Sequence, residues 1–121
     1  MILLTPELRA QLVANGRDPN ADHIPVVKFF NPIGRGMWLA NQLEDNGDIL
    51  FGIADLGFGT PEAGSFSLGE LAGLHLPFEM GIERDILFET RTPLSVWRRT
   101  ARRLGCLRAA ERAIWRIEQE G

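Results

Sequence analysis

Five carboxylates, Asp55, Glu62, Glu70, Glu83 and Asp85, flank glycine-rich turns in this 121-residue chain. In such a setting oxygen ligands can converge on a hard cation such as magnesium, the centre a metal-dependent hydrolase needs to activate water. Acids in loops and on strand faces are ordinarily solvated, and the histidines add no ligand, since His23 and His75 stand far apart without ligand spacing. The expectation is therefore no cofactor and no metal, with the five acids as the alternative, hydrolytic reading. Cys106, the only cysteine, stands among arginines. With no histidine or second thiol nearby it reads as a packing residue.

Two further sets of residues bear on chemistry. In the run Met80 to Glu89, alternation puts Ile82, Arg84, Ile86 and Phe88 on one side of a strand. A charge on an apolar side needs a partner. Asp55, which continues the Ile49, Phe51, Ile53 side of its own run, is the expected one, giving a partly buried structural ion pair. The second set is the tail. Residues 91–121 hold eight arginines against three acids, while residues 1–90 hold five bases against thirteen acids, so the net charge of −3 sums unlike halves. Projected as one helix, Arg98, Arg102, Arg112 and Arg116 form a stripe with Arg99 and Arg103 beside it, opposite Trp97, Leu104 and Trp115. This stripe fits an acidic protein, a second copy of the chain, or phosphates. A pI near 5.4 disfavours a general nucleic-acid binder, and an arginine face is also commonly just solvated.

The elements that would position these groups are legible from caps and periodicity. Thr5-Pro6-Glu7 starts a helix that Gly16 stops. His23 to Phe30 reads as a strand. Met37 to Leu43 and Ile49 to Ala54, separated by a segment containing Asn46-Gly47, read as an antiparallel hairpin. Gly57, Gly59, Pro61 and Gly64 suggest an irregular loop, Ser67-Leu68-Gly69-Glu70 a capping box opening a short helix, and Met80 to Glu89 another strand. Thr92-Pro93 opens a long C-terminal helix in which Gly105 marks a kink or a split.

Five segments resemble, in order, a small bacterial family catalogued as domain of unknown function number 2958: Leu3 to Arg9, Val26 to Pro32, Asp55 to Gly57, Gly64 to Leu71 and Gly81 to Asp85. The resemblance covers roughly the first 90 residues and leaves the arginine tail outside. It implies a setting, that of plasmids, integrative elements and phage-like islands near conjugation or anti-restriction genes. It supplies no catalytic residues.

Length and a hydrophobic content of 45% suit one domain: an acidic body over 1–90 and an arginine-rich helix over 91–121. The expected fold is α+β, a four- to five-stranded antiparallel sheet with a short N-terminal helix, a small helix after Ser67 and the long C-terminal helix. One cysteine, no recognisable signal and no apolar run of membrane-spanning length point to a reducing, cytoplasmic setting. The expected function is a non-enzymatic interaction module of a mobile element. Its expected partner is a protein, or a second copy met through the C-terminal helix, with nucleic acid as the alternative and no membrane.

Overall fold

A computed structural model describes all 121 residues. Thr5 caps as its hydroxyl allows: its oxygen accepts from the Leu8 N–H at 3.2 Å, and helix α1 runs Pro6–Gly16. Strands β1 (Val27–Phe30), β2 (Met37–Leu43) and β3 (Ile49–Asp55) follow. Between β2 and β3, Asn46 Oδ1 accepts from the N–H groups of Asp48 and Ile49, while Gly47 takes φ +77°, a left-handed conformation that glycine adopts without a Cβ penalty. Leu43 then lies opposite Leu50, and the expected hairpin forms. Next come β4 (Glu62–Ser67), α2 (Leu68–Ala72), a 3-10 turn at Pro77–Glu79, β5 (Glu83–Arg84), α3 (Leu94–Leu104) and α4 (Leu107–Glu120).

The sheet has the order β4-β3-β2-β1-β5 with every pair antiparallel. It is covered on both faces, which explains why Met37 to Asn41 are buried without interruption. Val27, Phe29, Trp38, Ala40 and Leu50 pack with Leu12 of α1 and Leu68 and Leu71 of α2. Met37, Leu39 and Ile53 pack on the other face with Trp97 and Ala101 of α3 and Leu107, Ala110 and Ile114 of α4. The result is the α+β fold expected, with the helices in two layers around one sheet.

Three elements differ from expectation. The run Met80 to Glu89 contributes only two residues of strand; beyond Arg84 the chain turns, with Asp85 Oδ1 accepting from Leu87 N–H and Asp85 carbonyl oxygen from Phe88 N–H. The glycine-rich stretch after Asp55 ends in β4, a half-buried edge strand whose residues Glu62-Ala63-Gly64-Ser65 carry no apolar alternation. The expected strand from His23 to Phe30 is formed only over Val27–Phe30, since Pro25 has no N–H to give a ladder. At the C-terminus, of the kink or split expected at Gly105, the structure has the split. Gly105, at φ +73°, ends α3 in the left-handed conformation, and extended Cys106 precedes α4.

Helices α2, α3 and α4 share a device. Each has a first-turn N–H bound by an aspartate from another part of the chain: Gly69 by Asp48, Ser95 by Asp22 and Leu107 by Asp55, at 2.8, 3.0 and 2.8 Å. A carboxylate there satisfies an otherwise orphaned donor and faces the positive end of the helix. Ser67 adds the expected local cap on α2, accepting from the Glu70 N–H at 3.1 Å.

Candidate functional site

Lys28, the only lysine, projects from β1 toward α4 between Val27 and Phe29, which point the other way. Its Nζ donates to both carboxylate oxygens of Glu111 at 2.9 Å and lies 3.4 Å from Asp85 Oδ2. A largely buried ammonium demands such compensation, and the side chain is 14% exposed. This three-residue seam ties β1, the turn after β5 and α4 together.

Beyond Asp85 the chain runs along α4 to the start of α3, and a second tie closes that end. Glu118 Oε2 accepts from the hydroxyls of Thr90 and Thr92, at 2.7 and 2.6 Å, and from the Arg91 N–H at 2.9 Å. Burial pushes the Glu118 carboxyl up, but the hydrogen bonds from Thr90, Thr92 and Arg91 and the positive charge of Arg91 outweigh it and hold the group below its ordinary value. Between the two ties, segment 85–92 and α4 enclose a cleft of about 470 Å³. Phe88 and Trp97 form part of its wall, their rings tilted by 54° with centroids 6.1 Å apart. Leu87 and Trp115, 85% and 60% exposed, flank it, and Arg112 and Arg116 stand along α4. The Nε1–H of Trp97 is buried without an acceptor.

The sequence-expected residues are dispersed. Arg84 and Asp55 do not pair. Arg84 lies opposite Phe29, on the α1 side of the sheet, whereas Asp55 lies opposite Met37, on the α3–α4 side. Residues opposite each other in a ladder share a face, so the sheet itself separates the two charges. The Arg84 guanidinium donates instead to the carbonyl oxygens of Ile2 and Leu3, and the Asp55 carboxylate accepts from the N–H groups of Gly57 and Leu107. The five acids likewise do not gather. Glu62 starts β4, Glu70 sits in α2, Glu83 lies in β5, and Asp55 and Asp85 are engaged as described. No group of three or more histidine, cysteine, aspartate or glutamate side chains has metal-binding geometry.

The arginine stripe is broken by the split at Gly105. Arg98 and Arg102 line a groove with Glu62 and the preceding loop, while Arg112 and Arg116 line the cleft beside Trp115. Arg99 and Arg103 are exposed on α3. None of the six forms an ion pair. The apolar side of the projection divides too: Trp97 is buried, while Leu104 and Trp115 are exposed. Lys28 and Glu111 of the seam, and Glu118 of the second tie, are not among the sequence-expected site residues. Glu111, Trp115 and Glu118 do recur at helical spacing on one side of α4, and a lone lysine among strand-forming residues is the signal that points to them.

An antiparallel sheet covered on both faces, with a helical hairpin bounding an open, arginine-flanked cleft, defines the structural class. The chain belongs to the family described as "Protein of unknown function (DUF2958)", which it matches over residues 3–108. That match runs beyond the body, through α3 and into the first turn of α4, so Arg98, Arg99, Arg102 and Arg103 lie within it and Arg112 and Arg116 beyond it. No curated protein and no solved structure matches the chain. No helix is long and apolar enough to cross a membrane.

Proposed function

We propose that this protein is a non-enzymatic interaction module that binds another protein through the surface formed by segment 85–92 and α4. The observation that carries this reading is the juxtaposition of exposed Ile86, Leu87 and Trp115 with Arg112 and Arg116, which have no carboxylate partner. Exposed apolar and aromatic side chains next to free arginines are the composition of interface hot spots. The unpaired guanidiniums favour an acidic partner surface. We further propose service to a mobile genetic element in counter-defence, supported by the setting that the family resemblance implies.

The test is affinity capture from a bacterial host lysate, with wild type and a Leu87→Asp/Trp115→Asp variant compared as bait. A specific partner should be retained by wild type and bound on the order of 30-fold more weakly by the variant, as loss of a hot spot of about 2 kcal/mol requires. Equal capture by both would remove this surface from the reading. Light scattering separates the homodimer: a mass that doubles in wild type and not in the variant identifies the partner as a second copy.

A further inference from the structure

Four acids and three bases line the cleft, but they are not equally free. Asp85 and Glu111 are engaged with Lys28, and Glu118 with Thr90, Thr92 and Arg91. Of the acids, only Glu89 lacks a hydrogen-bonding or ion-pair partner. On the other side of the ledger, Arg112 and Arg116 meet no carboxylate. Trp97 is 2% exposed, and its Nε1–H has no acceptor in the protein. Buried indole N–H groups ordinarily find one. The residues lining the cleft therefore combine two unpaired guanidiniums and one unsatisfied indole N–H with the apolar Leu87, Phe88 and Trp115. Such a site is complementary to an acceptor that is anionic and carried on an apolar group.

We infer that the cleft seats an acidic residue of the partner polypeptide that neighbours an apolar one, with the carboxylate held by Arg112, Arg116 and the Trp97 Nε1–H. The apolar neighbour packs on Leu87 and Trp115. This inference rests on the protein-binding reading above and names the chemistry of the partner. The Trp97 nitrogen is buried, and the Phe88 ring packs on Trp97, so in this inference the carboxylate reaches the nitrogen by displacing Phe88. Segment 85–92 is anchored at Asp85 and at Thr90 to Thr92, which leaves Phe88 between two fixed points.

The three tryptophans make this readable without a known partner. Protein labelled with nitrogen-15 gives three indole signals, to be followed during titration with the acetylated, amidated tetrapeptide Glu-Leu-Phe-Glu, its Gln-Leu-Phe-Gln counterpart, and 3-phenylpropionate. The signals are assigned with Trp38→Phe, Trp97→Phe and Trp115→Phe, any two of which suffice if one fails to fold. The Trp97 signal should move with the glutamate peptide and its exchange with water should slow. The glutamine peptide should bind about tenfold more weakly, as the loss of charge-assisted hydrogen bonds requires, and Arg112→Gln/Arg116→Gln should weaken the glutamate peptide similarly. A Trp97 signal unmoved by the glutamate peptide, or equal binding of the two peptides, overturns the inference. A response to 3-phenylpropionate alone also overturns it and makes the cleft a site for free organic acids. If Leu87→Asp/Trp115→Asp abolishes partner capture while the Trp97 signal stays still, this inference fails and the docking surface stands.

Discussion

Asp55 shows how far a residue's role depends on the face it occupies. Its carboxylate is buried, and it satisfies two backbone donors, one of them the first N–H of α4. Asp55→Ala leaves both without a partner and removes the charge that faces the helix dipole, so unfolding in urea should show a loss of about 2–4 kcal/mol. Arg84, expected from sequence to be its ion-pair partner, should behave differently. It donates to two carbonyl oxygens near the partly exposed start of the chain, and Arg84→Ala should cost about 1 kcal/mol. A loss for Arg84→Ala as large as that for Asp55→Ala would mean that the two charges are coupled after all. Alternation correctly put Arg84 on the side of buried Ile82. What alternation lacks is the sense of each face relative to a distant strand, which only the register of the ladder supplies.

At the scale of elements, segment 85–92 is held along α4 by Glu118. The folded carboxyl sits below its ordinary value, so the stabilisation is present above the ordinary carboxylate range and is lost as pH falls through the lowered, folded value. Glu118→Gln keeps an acceptor oxygen but discards the charge. The stability difference between wild type and this variant should therefore be largest near neutrality and shrink on acidification, with amide exchange at Thr90 to Thr92 following the same course. A difference that stays constant with pH would show that the charge of Glu118 plays no part in the tie. Most elements here were legible, because caps and turns are local: Thr5, Ser67 and Asn46-Gly47 act as their chemistry dictates. The edge strand β4 was not, since Ala63, Gly64 and Ser65 pair by backbone and carry no periodicity. The 80–89 run looked like a longer strand because its alternation continues past Arg84, whereas the Asp85 side chain and carbonyl oxygen close a turn there. The cleft stayed hidden for a related reason, as it joins residues from 28 to 118 that no local pattern connects.

Over the whole molecule, the charge asymmetry seen in the sequence is partly consumed inside the fold. Asp22, Asp48 and Asp55, all from the acidic first 90 residues, bind helix N-termini, and Asp85 is engaged with Lys28. The arginines of α3 and α4 keep their charge unpaired, but the split at Gly105 distributes them over two grooves rather than one continuous track. A polyanion following its own phosphate spacing gains less from divided charges, and the acidic remainder of the surface repels it. Labelled DNA and RNA should accordingly show no submicromolar mobility shift at physiological ionic strength. Submicromolar binding that vanishes when Arg98, Arg102, Arg112 and Arg116 become glutamine would establish a nucleic-acid partner, with an affinity falling by a log–log slope of about −0.9 for each duplex phosphate neutralised.

The solitary lysine of the Lys28–Glu111–Asp85 seam makes the chain its own reporter. An amine-selective reagent has a single side-chain target in this sequence, and in the native state that target is largely covered and held by two carboxylates. Its acylation rate therefore counts the fraction of time during which β1, the turn after β5 and α4 have parted. Measured by peptide mapping, which separates Lys28 from the α-amino group of Met1, that rate yields the free energy of one defined opening, with no introduced probe and no other lysine to deconvolute.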